Sequence, residues 1–271
     1  MKKTVLGLMT CYNRKEKTVN ALQRLIQGNP QISFSFLVAD DGSTDGTYEE
    51  LKKMPETTIL RGNGSLFYSG GMRLAIAEAK RAGKAYDYCL LFNDDVDFTE
   101  GAVEKLCRKE NTCIWVGPTS DEKGALSYGG IVKRSGWRPK TEIIMGKDQR
   151  GSSCDTFNAN CVLIPWKIFE ALDNIDEAYT HSMGDFDYGF SAVRKGFTIK
   201  VSDEFVGTCP DNPVAVSWRN TDLPRKERLK RKESPKGLPG NEWFYYLKKN
   251  YNVFTAVIYS AIPYLRILLK K

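Results

Sequence analysis

Apolar strands alternate with amphipathic helices from Thr4 to Phe92, and this alternation constrains the fold more than any other feature of the sequence. Thr4 to Met9, Phe34 to Ala39 and Tyr88 to Phe92 are short apolar runs, typical of strands that are buried on both faces. Between the first two, Lys15 to Gln27 carries apolar residues at helical spacing. The pattern predicts an α/β fold with a mostly parallel sheet flanked by helices.

Further segments extend this alternation along the chain. They are a helix beginning at Thr44 or Asp45 and running to Lys53, a strand from Thr57 to Leu60, a helix from Gly70 and Gly71 to Arg81, a strand from Cys161 to Ile164 and a helix ending near Gly196. The 271 residues are 41% hydrophobic and 27% charged. This balance predicts one large globular domain, or a domain with an appendage.

Polar and acidic residues follow three of the predicted strands, in the segments Thr10 to Arg14, Asp40 to Gly46 and Asn93 to Asp97. Ligands of such sheets bind beyond the carboxyl ends of the strands, so the three segments should meet at one site. Clustered carboxylates repel each other, and a bound Mg²⁺ or Mn²⁺ is the simplest reason for them to coexist. Each motif alone also fits a tight turn, a helix cap or a solvated loop.

Cysteines and charge limit the other possibilities. The chain has seven cysteines and no C-x-x-C pair, which argues against a disulfide framework and a zinc ribbon and predicts a reducing compartment. Lys2 and Lys3 precede an apolar run that is too short for a signal peptide, so this run is interpreted as the first strand. The net charge of +7 is concentrated between Arg219 and Lys236 and suits anionic partners.

Five segments, in this order, carry a resemblance to a known family: TCYNRKEKTVNAL, VADDGSTDGT, LLFNDDVDF, FNANCVLIP and GDFDYGFSAVRKGF. With them, the chain resembles a family 2 glycosyltransferase of the GT-A fold. The resemblance spans Thr4 to Val206. It implies a Rossmann-like donor-binding half, an acceptor-binding half, a nucleotide-diphosphate-sugar donor, and inversion at the anomeric carbon of a hexosyl or deoxyhexosyl group.

The resemblance also implies roles for the residues at the strand ends. Asp40 and Asp41 match the aspartates that hold the nucleotide base and ribose, with Thr10 lining the base site. Asp95 matches the metal-binding aspartate, and Asn93 replaces the first acid of that motif. The residues expected to bind the donor are Thr10, Asn13, Arg14, Asp40, Asp41, Arg73, Asn93 and Asp94. The metal would bridge the two phosphates and stabilise the departing diphosphate.

The segment from Met183 to Gly189 matches the family's second acidic motif, in which the second residue is the catalytic base. This match assigns the base to Asp185, with Asp187 as the alternative. An acceptor hydroxyl must lose its proton as it attacks, and a single displacement needs only one such base. Both aspartates would also be favourable simply because they lie at the start of a helix.

Several departures from the family pattern bear on the site. Gly184 replaces the glutamate that usually precedes the base. Ser191 stands where an arginine is common, with Arg194 one turn later. Cys209 lies near the position of a metal-binding histidine, so we expect fewer protein ligands on the metal and water in the gap. The residues that remain as candidate acceptor contacts are Asn160, His181 and Trp137.

The C-terminal region differs in composition. A basic run from Arg225 to Lys232 and an aromatic cluster from Trp243 precede an apolar stretch, Val253 to Leu269, which Pro263 and Arg266 interrupt. This stretch is short for a bilayer span of about 20 residues and fits an interfacial helix. Packing on the catalytic domain or on a second copy, as a homodimer, is the alternative. We therefore expect a donor half at 1–98, an acceptor half at 99–218 and a helical extension at 219–271.

Three functional classes remain open at this point. The first is a metal-dependent glycosyltransferase acting on a glycan or lipid-linked acceptor in bacterial surface polysaccharide assembly. It would be cytoplasmic, or peripheral on the inner face of the cytoplasmic membrane. The second is a non-catalytic sugar-nucleotide binder, against which Asp185 argues. The third is a nucleic-acid-binding protein; the acidic strand ends argue against it because they would repel phosphates.

Overall fold

The structure, a computed structural model, describes residues 2–134, 138–146, 153–210 and 217–269. Trp137, one of the predicted acceptor contacts, lies outside the described residues. The strands are β1 (Lys3–Cys11), β2 (Ile32–Asp40), β3 (Thr57–Arg61), β4 (Tyr88–Phe92), β5 (Asp97–Phe98), β6 (Ile114–Val116), β7 (Thr119–Ser120), β8 (Leu126–Tyr128), β9 (Gly130–Lys133), β10 (Thr141–Ile144), β11 (Ser153–Cys154), β12 (Thr156–Phe157), β13 (Cys161–Pro165), β14 (Ile199–Val201) and β15 (Gly207–Thr208). The helices are α1 (Lys15–Gly28), α2 (Thr47–Leu51), α3 (Phe67–Arg81), α4 (Ala102–Cys107), α5 (Trp166–Ala171), α6 (Gly184–Arg194), α7 (Arg225–Glu233), α8 (Gly240–Asn250) and α9 (Val253–Leu268).

One large sheet forms the centre of the molecule, with the strand order β11-β14-β6-β13-β4-β1-β2-β3. The strands β4, β1, β2 and β3 are parallel, and their carboxyl ends coincide because Cys11 pairs with Asp40 and Asp40 pairs with Arg61. β13 runs antiparallel to both β4 and β6. As a result, the residues that precede β13 lie at the same edge as those that follow β4.

Alternating apolar residues on the central strands bury both faces of the sheet. On one face, Leu6 and Leu8 of β1 share a core with Met72 and Ile76 of α3. On the opposite face, Val5 and Met9 join a second core that includes residues of α1 and β2. This is the predicted fold class, an α/β sheet with helices on both faces.

Most element boundaries agree with the sequence pattern, and β4 agrees at both ends. α3 differs, because it begins at Phe67 rather than at the glycine pair. α2 is shorter than predicted and begins at Thr47, since Asp45 accepts a hydrogen bond from the Thr47 N–H at 3.1 Å. The sheet also contains more antiparallel pairing in its second half than the alternation of strands and helices indicated.

The C-terminal helices pack on the catalytic half through a third apolar cluster. Tyr179 and Phe190 contribute from the first part of the chain, and Tyr246 and Leu247 contribute from α8. The basic helix α7 is not a uniformly solvated face, because two of its cations are completely buried. Arg228 donates from Nε to the Trp218 carbonyl at 2.9 Å, and Lys232 lies over the Tyr264 ring at 3.9 Å.

Asp187 anchors α8 on α6. Its buried carboxylate accepts from Lys249 Nζ at 2.7 Å and from Asn250 Nδ2 at 2.9 Å, and Arg194 lies 3.5 Å away. Lys249 also reaches Asp176 at 2.6 Å. A buried carboxylate without partners would be very costly, so this network requires α8 to stay docked.

We predict that Asp187→Ala lowers the free energy of unfolding by about 2 kcal/mol or more, because it leaves Lys249 and Asn250 without their buried partner. Urea denaturation measures this loss. Asp173→Ala is the matched control, since Asp173 pairs with Lys195 but its side chain is 74% exposed. Its loss should stay below about 1 kcal/mol. Equal losses for the two variants would contradict the anchoring role of Asp187.

Candidate active site

The loops that follow β1 and β2 are bonded to each other at the carboxyl edge of the sheet. The Asn13 N–H donates to Ser43 Oγ at 2.9 Å, and Asn13 Oδ1 accepts from the Thr44 N–H at 2.8 Å. Tyr12 projects from this junction and is 50% exposed. The side chain of Asn13 therefore fixes the shape of the cleft rim, and Tyr12 offers an aromatic surface beside it.

Asp40 lies beneath this rim and is fully buried. Its Oδ1 accepts from the Ser43 N–H at 2.9 Å, and its Oδ2 pairs with Arg61 at 2.6 Å. Arg61 is half exposed and lies 4.5 Å above the Tyr48 ring. Asp40 positions Arg61, which faces solvent. A direct contact between Asp40 and the donor stays a prediction.

Asp41 is also buried, and both of its carboxylate oxygens accept backbone amides. Oδ1 accepts from the Gly64 N–H at 2.8 Å and Oδ2 from the Phe67 N–H at 3.0 Å. The contact of Asp41 with the base or ribose stays a prediction. Asp41 shapes the segment that connects β3 to α3.

Thr10 is half buried at the end of β1 and donates to the Ala39 carbonyl at 3.0 Å. Its hydroxyl lies directly against Gly71 of α3, where an added Cβ would come within 2.2 Å of Thr10 Oγ1. Only glycine allows this approach of α3 to the strand end. Thr10 therefore sets the position of α3 at the cleft.

Arg14 links two acids that follow β4. It lies 2.9 Å from Asp94 and 3.5 Å from Asp95. Asp94 is buried and also accepts from Thr18 Oγ1 at 3.0 Å, whereas the Asp95 side chain is 34% exposed. Asp94 therefore helps to position Arg14, and Asp95 is the more accessible acid of this pair. The donor contact of Asp94 stays a prediction.

The surroundings of Asp95 come from both halves of the sheet. The Cys209 thiol lies 3.7 Å from Asp95 Oδ1, and Asn160 Nδ2 donates to Cys209 at 3.4 Å. The half-buried Asn93 donates from its N–H to the Asn160 carbonyl at 3.3 Å. Asn160 is thus buried in a cluster beside the predicted metal aspartate, and its contact with the acceptor stays a prediction.

Within the described residues, no three His, Cys, Asp or Glu side chains converge on a metal position. Asp95 nevertheless suits a cation that arrives with a diphosphate, because it is accessible while Arg14 neutralises its neighbour Asp94. Mg²⁺ is commonly held by one or two carboxylates together with substrate phosphates and water. The donor set around Asp95 therefore fits the predicted divalent cation with few protein ligands.

Asp185 lies in the first turn of α6, where its carboxylate accepts the Phe186 N–H at 2.9 Å and the Ala159 N–H at 3.2 Å. Burial raises the pKa of this carboxyl to about 6, against the opposing effect of the two amides. None of the described lysine, arginine or histidine side chains forms an ion pair with the Asp185 carboxylate; the nearby Arg194 and Lys249 pair with Asp187. Asp185 is therefore a carboxyl group with a raised pKa, and its oxygens can accept further hydrogen bonds.

Tyr68 lies in the first turn of α3, within electrostatic range of both Asp95 and Asp185. Burial raises the pKa of its phenol, and the negative charges of Asp185 and Asp95 raise it further. The Tyr68 N–H donates to His181 Nδ1 at 3.3 Å, and burial lowers the His181 pKa to about 4. His181 is thus a neutral ring that accepts at Nδ1 and holds Tyr68 in place.

Backbone strain is concentrated around the cleft. Among the described residues, the non-glycine positions with positive φ are Asn13 at 51°, Phe67 at 51° and Met183 at 67°. They flank the end of β1, the start of α3 and the start of α6. Such conformations cost free energy and persist where surrounding bonds enforce them, as Asp41 does for Phe67. This distribution supports a functional role for the cleft.

Two further predicted site residues have protein partners. Arg73 donates to the carbonyls of Asp176 and Tyr179 at 3.0 and 2.8 Å and so secures the loop before α6; its contact with the donor diphosphate stays a prediction. Asp187 is buried and paired with Lys249 and Asn250, so the geometry favours Asp185 over Asp187 as the base.

Sequence reasoning missed the positions of Arg61 and Tyr68. Arg61 could have been found because it is the last residue of a strand, at the sheet edge that carries the polar and acidic segments. Tyr68 is not among the predicted site residues, because the helical spacing placed the start of α3 at the glycine pair, whereas the helix begins at Phe67.

Solved structures with the same fold support the GT-A architecture. The mannosyltransferase from Pyrobaculum calidifontis, in complex with GDP-Man and Mn²⁺, matches with a TM-score of 0.54 and 12% identity, over 100% of this chain and 73% of that one. S. aureus TarS matches with a TM-score of 0.59 and 14% identity, over 100% of this chain and 53% of that one. TarS 1–349 in complex with UDP-GlcNAc gives 0.58 and 12%, over 98% and 90%. At these identities the likeness shows the fold.

Sequence comparison identifies the family. No curated protein sequence matches the chain. The family model described as Glycosyl transferase family 2 matches residues 8–144, which include the edge loops, Arg14 and Asp95. This match covers half of the chain and agrees with the GT-A fold and the accessible acid at its carboxyl edge. The chain therefore belongs to glycosyltransferase family 2.

Proposed function

We propose that this glycosyltransferase inverts the anomeric centre, transferring a sugar from a nucleotide-diphosphate donor to a hydroxyl of a glycan or lipid-linked acceptor. The transferred group would be a hexosyl or deoxyhexosyl residue. GDP-Man and UDP-GlcNAc are bound by two proteins of the same fold, which supports a donor of this chemical class.

The observation that carries this proposal is the different fate of the two aspartates in α6. Asp187 is buried and paired, whereas Asp185 accepts only two backbone amides and has a pKa raised to about 6. One available carboxylate is the requirement of a single displacement. A double displacement would need a second carboxylate as nucleophile, and Asp187 is not available for that role.

In the proposed reaction, the acceptor hydroxyl gives its proton to a carboxylate oxygen of Asp185. The hydroxyl oxygen then forms a bond to the anomeric carbon while the bond to the diphosphate breaks on the opposite face. The charges of both Asp185 and Asp95 raise the pKa of Tyr68. In the proposed complex, Tyr68 would contact the sugar between these two acids. His181 keeps Tyr68 in position through the bond to its backbone amide.

On the donor side, we assign the nucleotide to the rim formed by Tyr12, Asn13 and Arg61, with Arg14 close to the phosphates. Tyr12 and Arg61 are exposed there, and Asp40 and Asp41 fix the loops that carry them. When bound at Asp95, Mg²⁺ or Mn²⁺ would neutralise the charge that develops on the leaving diphosphate.

The three segments expected from the sequence then acquire separate tasks. Residues 1–98 would bind the donor, residues 99–218 would supply the base and acceptor contacts, and residues 219–271 would support α6 and meet the surroundings of the acceptor. We further propose that the enzyme acts in bacterial surface polysaccharide assembly at the inner face of the cytoplasmic membrane. Within the described part of the chain, no helix is long and apolar enough to cross a membrane.

We predict that Asp185→Asn lowers turnover by about a hundredfold or more, because the amide cannot accept the acceptor's proton. In the wild type, kcat/KM should rise with pH and level off above about pH 6, where the buried carboxyl has lost its proton. Initial rates with a matched nucleotide sugar and acceptor, measured from pH 5 to pH 8, check both effects.

Nucleotide binding, measured by thermal shift, is the control for this variant and should persist. Full turnover in Asp185→Asn would contradict the assignment of the base. Nucleotide binding by the wild type without transfer to any acceptor would instead favour the non-catalytic sugar-nucleotide binder.

We predict that Asp95→Ala abolishes the Mn²⁺-dependent part of nucleotide binding while the fold stays intact, because Asp95 is the accessible acid beside the phosphates. Thermal shift with UDP, GDP and dTDP, with and without Mn²⁺, measures this. Asp97→Ala is the matched control: Asp97 is an exposed carboxylate two residues later that pairs with Arg24. Equal metal dependence in both variants and the wild type would contradict the metal assignment.

A further inference from the structure

The last helix, α9, is held in one orientation on α7 and α8. Asn252 caps its first turn by accepting the Thr255 N–H at 2.8 Å. Trp243 Nε1 donates to the Tyr259 carbonyl at 3.1 Å, and the Tyr264 hydroxyl donates to Glu233 at 2.6 Å. These bonds come from α8 and α7 and fix which side of α9 faces the protein and which faces outward.

The outward side of α9 is an uninterrupted apolar stripe. Its large side chains are Phe254, Val257, Ile258, Leu265 and Leu268, with exposed fractions of 78%, 60%, 49%, 51% and 58%. Their spacing of three, four and seven residues places them on one face of the helix. The only charged residue of the helix, Arg266, lies beside this stripe rather than on it. A continuous exposed apolar surface of this kind marks an interaction site.

The charge around the stripe is mainly positive, although α7 carries Glu227 and Glu233 and α8 begins with Glu242 in its first turn. From Trp243 to Lys271 the sequence contains five basic residues and no acidic residue. The packed helix α7 adds three exposed cations, Arg225, Lys226 and Lys230. A protein partner is usually met by a rim of mixed polarity around an apolar centre. An apolar stripe with an excess of cations around it instead complements the acyl chains and anionic headgroups of a bilayer surface.

We propose that the outward face of α9 docks on a bilayer that contains anionic lipids, with the helix lying in the plane of the surface. At 16 residues the helix is about 24 Å long, and no described helix is long enough to span the bilayer. Both features fit a helix that lies along the surface, with the stripe buried among the headgroups.

This docking would place the acceptor site at the membrane. α8 carries α9 on one side and contacts α6 on the other, where Lys249 and Asn250 bind Asp187, two residues from the proposed base. A bilayer-bound α9 therefore holds the start of α6 at a fixed position near the lipid surface. This consequence, though not the docking itself, rests on the proposed function with a lipid-linked acceptor.

Because α8 is part of the catalytic half, removing the C-terminal extension would test stability as well as docking. The sharper variant keeps the full chain and changes only the stripe, as Phe254→Gln, Val257→Gln and Leu265→Gln together. The matched control carries Ile143→Gln and Val193→Gln, at two apolar side chains with exposures of 41% and 39% that lie outside α9. Far-UV circular dichroism and the melting temperature establish that all three proteins are folded.

Flotation with vesicles of phosphatidylglycerol and phosphatidylcholine, and with phosphatidylcholine alone, is the test. The wild type and the control should float with the anionic vesicles at low salt, less at high salt, and poorly with neutral vesicles. The vesicle-bound fraction of the stripe variant should be at least about fivefold smaller than that of the wild type. A nucleotide-induced thermal shift that is the same in all three proteins would show that loss of flotation is separate from the donor site.

Two results would overturn the proposal. One is wild-type protein that stays out of the anionic vesicle fraction, or a stripe variant that floats as well as the wild type. The other is a wild-type dimer in multi-angle light scattering that the stripe variant converts to a monomer without any vesicle binding by either protein. That result would assign the stripe to a second copy of the chain.

Discussion

A carboxylate that leaves water must be paired or hydrogen-bonded, and four aspartates around the cleft meet this requirement in different ways. Asp40 pairs with Arg61, Asp41 accepts two backbone amides, Asp94 pairs with Arg14, and Asp187 binds Lys249 and Asn250. Each pairing fixes a different element at the cleft: the end of β3, the turn into α3, the start of α1 and the docking of α8.

The same constraint separates the acids that shape the site from those available for chemistry. Asp95 and Asp185 differ from these four acids because they are only partly buried, although Arg14 lies 3.5 Å from Asp95 and two backbone amides bond Asp185. They come from opposite halves of the sheet. β13 brings the halves together because it runs antiparallel to β4, so the segment before it meets the segment after β4. The charges of both acids raise the pKa of Tyr68, which lies in the first turn of α3, where Asp41 and His181 hold the strained start of the helix.

The fold class could be predicted because apolar periodicity depends on local sequence, and β4 was predicted at both ends for that reason. The convergence of the three edge segments also followed, since parallel strands place their carboxyl ends together. Side-chain partners could not be predicted in the same way. Asp40 and Asp187 are chemically identical to the accessible acids in the sequence, and their burial depends on Arg61 and Lys249, which are distant along the chain.

The C-terminal extension contains one feature that the sequence pattern predicted and one that it could not show. Its last helix was expected to be amphipathic and interfacial, and the described helix does present an apolar outward face. Its basic run forms α7, in which Arg228 and Lys232 are buried against neighbouring segments. Periodicity detects an apolar face, but it cannot show which cations of a helix are enclosed by a tertiary contact.

The account depends most on the conclusion that Asp185 is the one carboxylate available on the acceptor side of the cleft. The anomeric configuration of the product tests this most directly, because a single base supports one displacement and a second free carboxylate would support two. Proton NMR of the product formed with a donor of defined configuration measures it. The account predicts a product of inverted configuration, and a product that retains the donor's configuration would contradict it.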